Sequence, residues 1–178
     1  HTPFGHTGER VLDSICSFGF KHYKQSIRVV DFLENGTGLN LTYEVRDGIL
    51  NHAGDHEAKT LEGKIIKFAD RIAYINHDID DAIRGGIIKN SDIPKKCADV
   101  LGTSHGERIS TLICDIVSFS QNKNQIGMTE EVSDAMNTLR DFMFERVYVD
   151  SKAKAEDKKA GKIMRMLFEV FMDNPELM

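Results

Sequence analysis

Apolar residues that recur every three or four positions are the feature that most restricts how this chain can fold. They form three long stripes in the second half, in segments at about 105–121, 130–147 and 154–172, with the spacing of amphipathic helices. The stripes are Ile109, Leu112, Ile113, Ile116 and Val117; then Val132, Ala135, Met136, Leu139, Phe142 and Met143; then Ile163, Met166, Leu167, Val170 and Phe171. No stretch alternates with a period of two for long, and prolines number only 3. We therefore predict an all-α fold in which these three helices are structural scaffold.

Residues typical of helix starts precede two of these segments. Ser104 followed by Glu107 has the spacing of a capping box. Thr129, followed by two glutamates, is predicted to cap the next helix. In the first half, glycines separate shorter segments, which we place at about 7–17, 24–33, 43–51, 61–76 and 78–84.

Composition excludes several classes of protein. The 178 residues carry a net charge of −5 and 40% hydrophobic residues, which fits one globular domain and does not indicate a nucleic-acid partner, although a local basic site stays open. No apolar run approaches the length of a membrane span. The 3 cysteines show no CxxC spacing, as expected in a reducing compartment such as the cytoplasm. The chain begins with His1 rather than Met, so we expect a piece of a longer protein.

Three polar residues line up on one predicted helix. Asp70, Tyr74 and Asp78 are spaced i, i+4 and i+8, so they share one face. A carboxylate beside an apolar stripe requires a metal, a cation or several donors; solvated or salt-bridged acids are the alternative. The apolar neighbours that we expect to be core are Ile65, Ile66, Ala69, Ile72, Ala73 and Ile75.

Histidines near the N-terminus are a second group of candidates. Glu9 follows His6 by three residues, so on a helix it could orient the imidazole for acid–base chemistry, or the pair could be structural. His22 stands among basic residues that suit phosphate oxygens or are merely solvated: Lys21, Lys24 and Arg28. Arg108, near a helix start, could meet an anion or a partner subunit.

Four segments taken in order resemble one family. HTPFGHTGE, FKHYKQSIRVV, GLNLTYEVRDGIL and FADRIAYINHDIDDAI resemble the bacterial deoxyguanosine triphosphate triphosphohydrolases, which are HD-domain phosphohydrolases. The resemblance covers most of residues 1–120 and continues more loosely to MDNPELM. It implies an all-helical HD fold and hydrolysis of a deoxynucleoside triphosphate to the deoxynucleoside and inorganic triphosphate.

The resemblance also implies a divalent metal ion. In the family, a histidine, an adjacent His-Asp pair and a distant aspartate hold the metal. Asp70 matches the distant aspartate, and the other three ligands should lie before residue 1. The chain is therefore expected to be the central and C-terminal part, over residues 1–178, of a single HD domain that lacks its N- and C-terminal helices and is inactive alone.

Residue by residue, the resemblance implies the following roles. His6 matches the histidine that acts at the α-phosphorus, Glu9 matches the acid that orients it, and His22 matches another active-site histidine, followed by Tyr23 where asparagine or glutamate is more usual. The resemblance also implies that His1 and Arg71 contact the phosphates of the substrate. It implies that Tyr74 packs on the sugar and that Asp78 bonds the 3′-hydroxyl of that sugar.

The expected partners are a deoxynucleoside triphosphate and further copies of the same chain, since family members form homo-oligomers, with no membrane. Two alternatives stay open. The chain could be a catalytically inactive fragment or an HD-type regulatory or oligomerisation module. It could also be an HD phosphohydrolase that acts on another nucleotide, such as a nucleoside monophosphate or an alarmone.

Overall fold

The computed structural model describes residues 4–149 and 152–177, and their regular secondary structure is entirely helical. The all-α prediction is confirmed. In chain order the α-helices of these residues are α1 Gly5–Ile15, α2 His22–Arg28, α3 Tyr43–Asn51, α4 Leu61–Arg84, α5 Lys95–Leu101, α6 His105–Ser120, α7 Glu130–Met143 and α8 Lys152–Asp173. Across the described ranges, every helix is too short or too polar to cross a membrane.

Contacts divide the described residues into two compact units, one within residues 1–42 and 152–178 and one within residues 43–151. In the first unit, α1 packs on α8. The missing side chain of Gly161 lets Val11 approach closely, since a Cβ there would lie 3.3 Å from Val11 Cγ2. Thr7 Oγ1 donates a hydrogen bond to Asp157 Oδ2 at 2.9 Å. This packing fixes the helix that carries His6 and Glu9.

The second unit is built around α4, which begins where Thr60 Oγ1 accepts a hydrogen bond from the Gly63 amide at 3.1 Å. Gly63 also permits close approach to α3 and to the segment between α3 and α4, because a Cβ on it would lie 3.2 Å from Gly48 Cα and 2.5 Å from Ala58 Cβ. The core of the unit is formed by buried apolar side chains, the most enclosed being Ile75, Ile79, Leu101, Leu112, Ala135, Leu139 and Met143.

The α4 region differs from the sequence prediction in two ways. A single helix of 24 residues replaces the two predicted segments, because buried Ile79 and Ala82 continue the apolar face past His77. Of the predicted core residues, only Ile72 and Ile75 are buried. Ile65 and Ile66 are about half exposed, and Ala69 and Ala73 are also exposed, because the helix turns the Ile75–Ile79 side toward α6 and α7.

The scaffold prediction holds for α7 and fails in part for α6 and α8. Val132, Met136 and Leu139 of α7 are buried, whereas Ile113 and Val117 of α6 are 49% and 61% exposed. On α8 the whole predicted stripe is exposed, because the helix turns Gly161 and buried Met164 inward instead. Its exposed members are Ile163, Met166, Leu167, Val170 and Phe171.

Of the two predicted helix caps, one is confirmed. Ser104 and Glu107 form the capping box of α6. Thr129 precedes α7, but its side chain does not cap it; the hydroxyl donates to Asp115 Oδ1 at 2.8 Å instead. Helix α5, which follows Pro94 and is seven residues long, was not predicted.

Candidate functional site

The residues expected to carry chemistry fall into two groups, one in each unit, and each group is described by itself. The first unit holds His6, Glu9 and His22 on α1 and α2. The second unit holds four further candidates on α4: Asp70, Arg71, Tyr74 and Asp78. His1 lies outside the described residues.

Glu9 and His22 form the closest pair in the first group. Glu9 Oε1 accepts a hydrogen bond from the His22 amide at 2.8 Å and lies 2.9 Å from His22 Nδ1. Both side chains are largely enclosed, at 14% and 18% exposure. Burial by itself raises the pKa of Glu9, but the hydrogen bonds from His22 and the charges of His22 and His6 outweigh it and lower this pKa. An ionised Glu9 accepts the Nδ1 proton, so the neutral form of His22 is held as the Nδ1–H tautomer.

His6 lies beside this pair, with its ring centroid 6.4 Å from that of His22 and the ring planes almost perpendicular. The sequence predicted that Glu9 orients His6. In the structure the two Glu9 hydrogen bonds given above both go to His22, and the charge of His6 acts on Glu9 through space. The Glu9–His22 contact joins residues 13 apart on separate helices, so no local spacing could indicate it.

A cavity of about 360 Å³ opens in the same unit. Its polar lining includes Glu9, His22, Gln25 and Ser26, and its apolar wall is made by Leu12, Phe20, Val29 and Val30. Lys21, expected to supply positive charge near His22, donates instead to Asp13 Oδ2 at 2.8 Å. An apolar wall strengthens the electrostatic interactions of the enclosed carboxylate and imidazole, which is suited to proton transfer.

In the second unit, the Tyr148 hydroxyl donates a short hydrogen bond to Asp78 Oδ2. Tyr148 lies in the π-helical turn that follows α7. Burial, together with the bond and the charge of Asp78, raises the pKa of Tyr148 far above its ordinary value, so the phenol remains protonated and acts as a donor. This hydrogen bond fixes the direction of the Asp78 carboxylate, so its second oxygen is oriented to accept another hydrogen bond. Sequence reasoning missed Tyr148, because the two residues are 70 positions apart.

Arg71 is held by Asn137 of α7, whose Oδ1 accepts from Arg71 Nη2 at 2.5 Å. Burial and the neighbouring positive charge of Arg140 lower the pKa of Arg71. Tyr74, 37% exposed, interacts with the same guanidinium, and burial is the main cause of its raised pKa. A desolvated guanidinium beside a second arginine attracts anions.

Asp70 is an exposed carboxylate one helical turn before Tyr74. It is free of hydrogen bonds and ion pairs to any residue that the structure describes. Within residues 4–149 and 152–177, no group of three or more His, Cys, Asp or Glu side chains is arranged to hold a metal ion. Asp70 therefore offers one carboxylate ligand, and the described part of the chain supplies no complete metal site around it.

Arg108, weighed above as an anion or partner contact, is an internal residue. Its side chain is 2% exposed, and its Nε donates to Asn76 Oδ1 at 2.9 Å. Its Nη2 lies 3.6 Å from Asp80, whose other oxygen is 2.7 Å from His105 Nδ1. These contacts tie α6 to α4, so Arg108 connects two helices and is not an exposed anion or partner contact.

Comparison with known families gives one match to the C-terminal part. Residues 126–178 match the family model of a phosphohydrolase-associated domain. This range contains α7, the π-helical turn after it and α8, and therefore Asn137, Arg140 and Tyr148.

Whole-chain comparison finds curated proteins called deoxyguanosinetriphosphate triphosphohydrolase-like. One from Caldanaerobacter subterraneus subsp. tengcongensis is 51% identical over 100% of this chain and 53% of its own length. One from Clostridium perfringens is 44% identical over 99% of this chain and 56% of its own length. One from Geobacter sulfurreducens is 31% identical over 100% and 60%. The chain thus spans little more than half the length of these relatives.

Proposed function

Since the chain belongs, over its whole length, to the deoxyguanosinetriphosphate triphosphohydrolase-like family of HD phosphohydrolases, we propose that the complete protein hydrolyses deoxynucleoside triphosphates. The products are the deoxynucleoside and inorganic triphosphate. The observation that carries the proposal is the arrangement on α4, where a desolvated guanidinium, a phenol and an oriented carboxylate follow one another: Arg71, Tyr74 and Asp78.

The geometry of α4 supports an extended nucleotide lying along it. Each residue of an α-helix adds about 1.5 Å, so Asp70 and Asp78 are about 12 Å apart along the axis. We assign the 3′-hydroxyl to Asp78, because Tyr148 holds that carboxylate in place as an acceptor. We assign the sugar ring to Tyr74, whose phenol would leave little room for a 2′-hydroxyl and so favour deoxyribose.

The phosphate end of the substrate would meet positive charge. Arg71 is the assigned phosphate contact, and Arg140 acts on it electrostatically. Guanidinium groups bind phosphate oxygens through charge-assisted hydrogen bonds, and they stabilise charge that develops during phosphoryl transfer. His1 is assigned a further phosphate contact from the family resemblance.

A divalent metal ion is part of the proposal, and Asp70 is the residue of this chain that would bind it. Its exposed, unbonded carboxylate is a suitable ligand for a hard cation. A bound ion would supply Lewis-acid polarisation of the phosphoryl group. The remaining ligands would come from residues outside this chain.

Proton transfer is assigned to the histidines of the first unit. As water attacks the α-phosphorus, the bond from that phosphorus to the 5′-oxygen breaks and the 5′-oxygen takes a proton. His6 is the proposed proton-transfer residue. The Glu9–His22 pair supplies a second imidazole of fixed tautomer beside it.

Assembly and location complete the proposal. We propose that the complete protein forms a homo-oligomer, and analytical ultracentrifugation would test this directly.

We place the protein in the cytoplasm, because Cys16, Cys97 and Cys114 are all free thiols.

A nucleotide screen of the complete protein tests the function. The protein, with divalent metal, is incubated with each deoxynucleoside triphosphate, each ribonucleoside triphosphate and the corresponding monophosphates, and products are separated by ion-exchange chromatography. We expect triphosphate and deoxynucleoside from at least one deoxynucleoside triphosphate. Release of phosphate from monophosphates alone would favour another HD phosphohydrolase. The absence of any hydrolysis product from a folded, metal-loaded protein would favour a regulatory module.

A further inference from the structure

The hydrogen-bond acceptor that holds Arg71 is an amide oxygen rather than a carboxylate. Its guanidinium is half-buried on α4, and Asn137 accepts from its Nη2 at 2.5 Å. Its Nε is buried and finds no acceptor among the described residues. Four other arginines instead have a carboxylate oxygen within 4.0 Å: Arg10, Arg84, Arg108 and Arg140.

An amide and a carboxylate have different effects on a neighbouring guanidinium. Both accept a hydrogen bond and fix the direction of the guanidinium group, but only the carboxylate neutralises its positive charge. Arg140 adds repulsion, and Asp141, the acid whose charge acts on Arg71, is 64% exposed and already paired with Arg140. The positive charge of Arg71 is therefore held in place and poorly compensated.

We infer that Asn137 is a positioning residue, which orients Arg71 for the polyphosphate chain of the substrate while leaving its charge available. This inference rests on the proposed function, because it gives Arg71 the phosphate. The repulsion between Arg71 and Arg140 is reduced when an anion binds, which is the physical reason for the arrangement.

The decisive variant is Asn137→Asp in the complete protein. It keeps the shape and the hydrogen bond but places a negative charge beside Arg71. We expect the KM for the deoxynucleoside triphosphate and the Kd of inorganic tripolyphosphate, measured by calorimetry, to rise about tenfold, the scale of one lost charge contact. The thermal midpoint should stay the same or rise, and kcat should change much less than KM.

Two controls separate positioning from general effects. Asn124→Asp makes the same chemical change at an exposed loop residue and should leave KM and Kd unchanged. Asn137→Asp in an Arg71→Ala background should add almost nothing to the loss caused by Arg71→Ala, since both act on the same contact. Asn137→Ala removes the positioning bond without adding charge and should raise the Kd a few-fold.

The inference and the proposed function can fail separately. If the wild-type protein hydrolyses no deoxynucleoside triphosphate, the function is wrong, while tripolyphosphate binding still tests the role of Asn137. If wild-type protein is active and folded Asn137→Asp or, should that variant not fold, Asn137→Ala binds tripolyphosphate like wild type, the inference is overturned. An equal loss from Asn137→Asp in the Arg71→Ala background would also overturn it.

Discussion

Removing the Tyr148 hydroxyl should lower the stability of the second unit. It should also weaken the proposed hydrogen bond between Asp78 and the 3′-hydroxyl of the substrate. Tyr148→Phe deletes the bond to Asp78 Oδ2 and leaves the ring in place. A hydrogen bond to a charged group contributes about 1.5–3 kcal/mol. Asp78 is half-buried, so water replaces part of the bond, and we expect a loss of about 1–2 kcal/mol. For a chain of this size that lowers the thermal midpoint by about 2–8 °C.

The same loss should appear in substrate discrimination. A wild-type protein that binds the 3′-hydroxyl through Asp78 should prefer dGTP to 2′,3′-dideoxy-GTP in kcat/KM. In Tyr148→Phe this preference should shrink by about 5- to 30-fold, the equivalent of 1–2 kcal/mol. Tyr43→Phe, the same change at a residue 54% exposed, is the control. A Tyr148→Phe variant with wild-type discrimination would refute the assignment of Asp78 to the 3′-hydroxyl.

Three further predictions concern the two units. His6→Ala in the complete protein should abolish triphosphate release and leave the circular dichroism spectrum intact; normal turnover would contradict its assigned role. Because the pKa of Glu9 is lowered from 4.5, its ionised form stabilises the fold above that pH, and this stability is lost as the pH falls through the folded-state pKa. Glu9→Gln should therefore flatten the acid limb of a plot of thermal midpoint against pH, and an unchanged limb would show that Glu9 does not contribute. Gly63→Ala places a methyl group 2.5 Å from Ala58 Cβ and should lower the free energy of unfolding by about 1–3 kcal/mol in a urea titration. Gly106→Ala, with nothing within 4 Å, should not lower it, and equal losses would contradict the close packing around Gly63.

Local patterns predicted the elements well. The segment 43–51 coincides with α3, and the capping box at Ser104 marks the start of α6. Periodicity identifies an apolar face but does not say which neighbour covers it. For that reason the stripe through Leu167 of α8 was predicted correctly as helix and wrongly as buried scaffold.

The candidate residues were named from the sequence, but their partners were not. Glu9 meets His22 across 13 positions, Arg71 meets Asn137 across 66, and Asp78 meets Tyr148 across 70. These contacts depend on how helices pack, and neither spacing nor composition contains that information. The partners nevertheless decide the chemistry. Glu9 fixes the tautomer of neutral His22, Asn137 holds the Arg71 cation without neutralising it, and Tyr148 orients the Asp78 carboxylate as an acceptor.

The central claim is that water attacks the α-phosphorus and releases the triphosphate whole. Hydrolysis of dGTP by the complete protein in ¹⁸O-labelled water, followed by mass spectrometry of the products, tests this most directly. We expect one ¹⁸O atom in the inorganic triphosphate and none in the deoxynucleoside. Label in the 5′-hydroxyl of the deoxynucleoside, or products limited to orthophosphate or pyrophosphate, would contradict the claim.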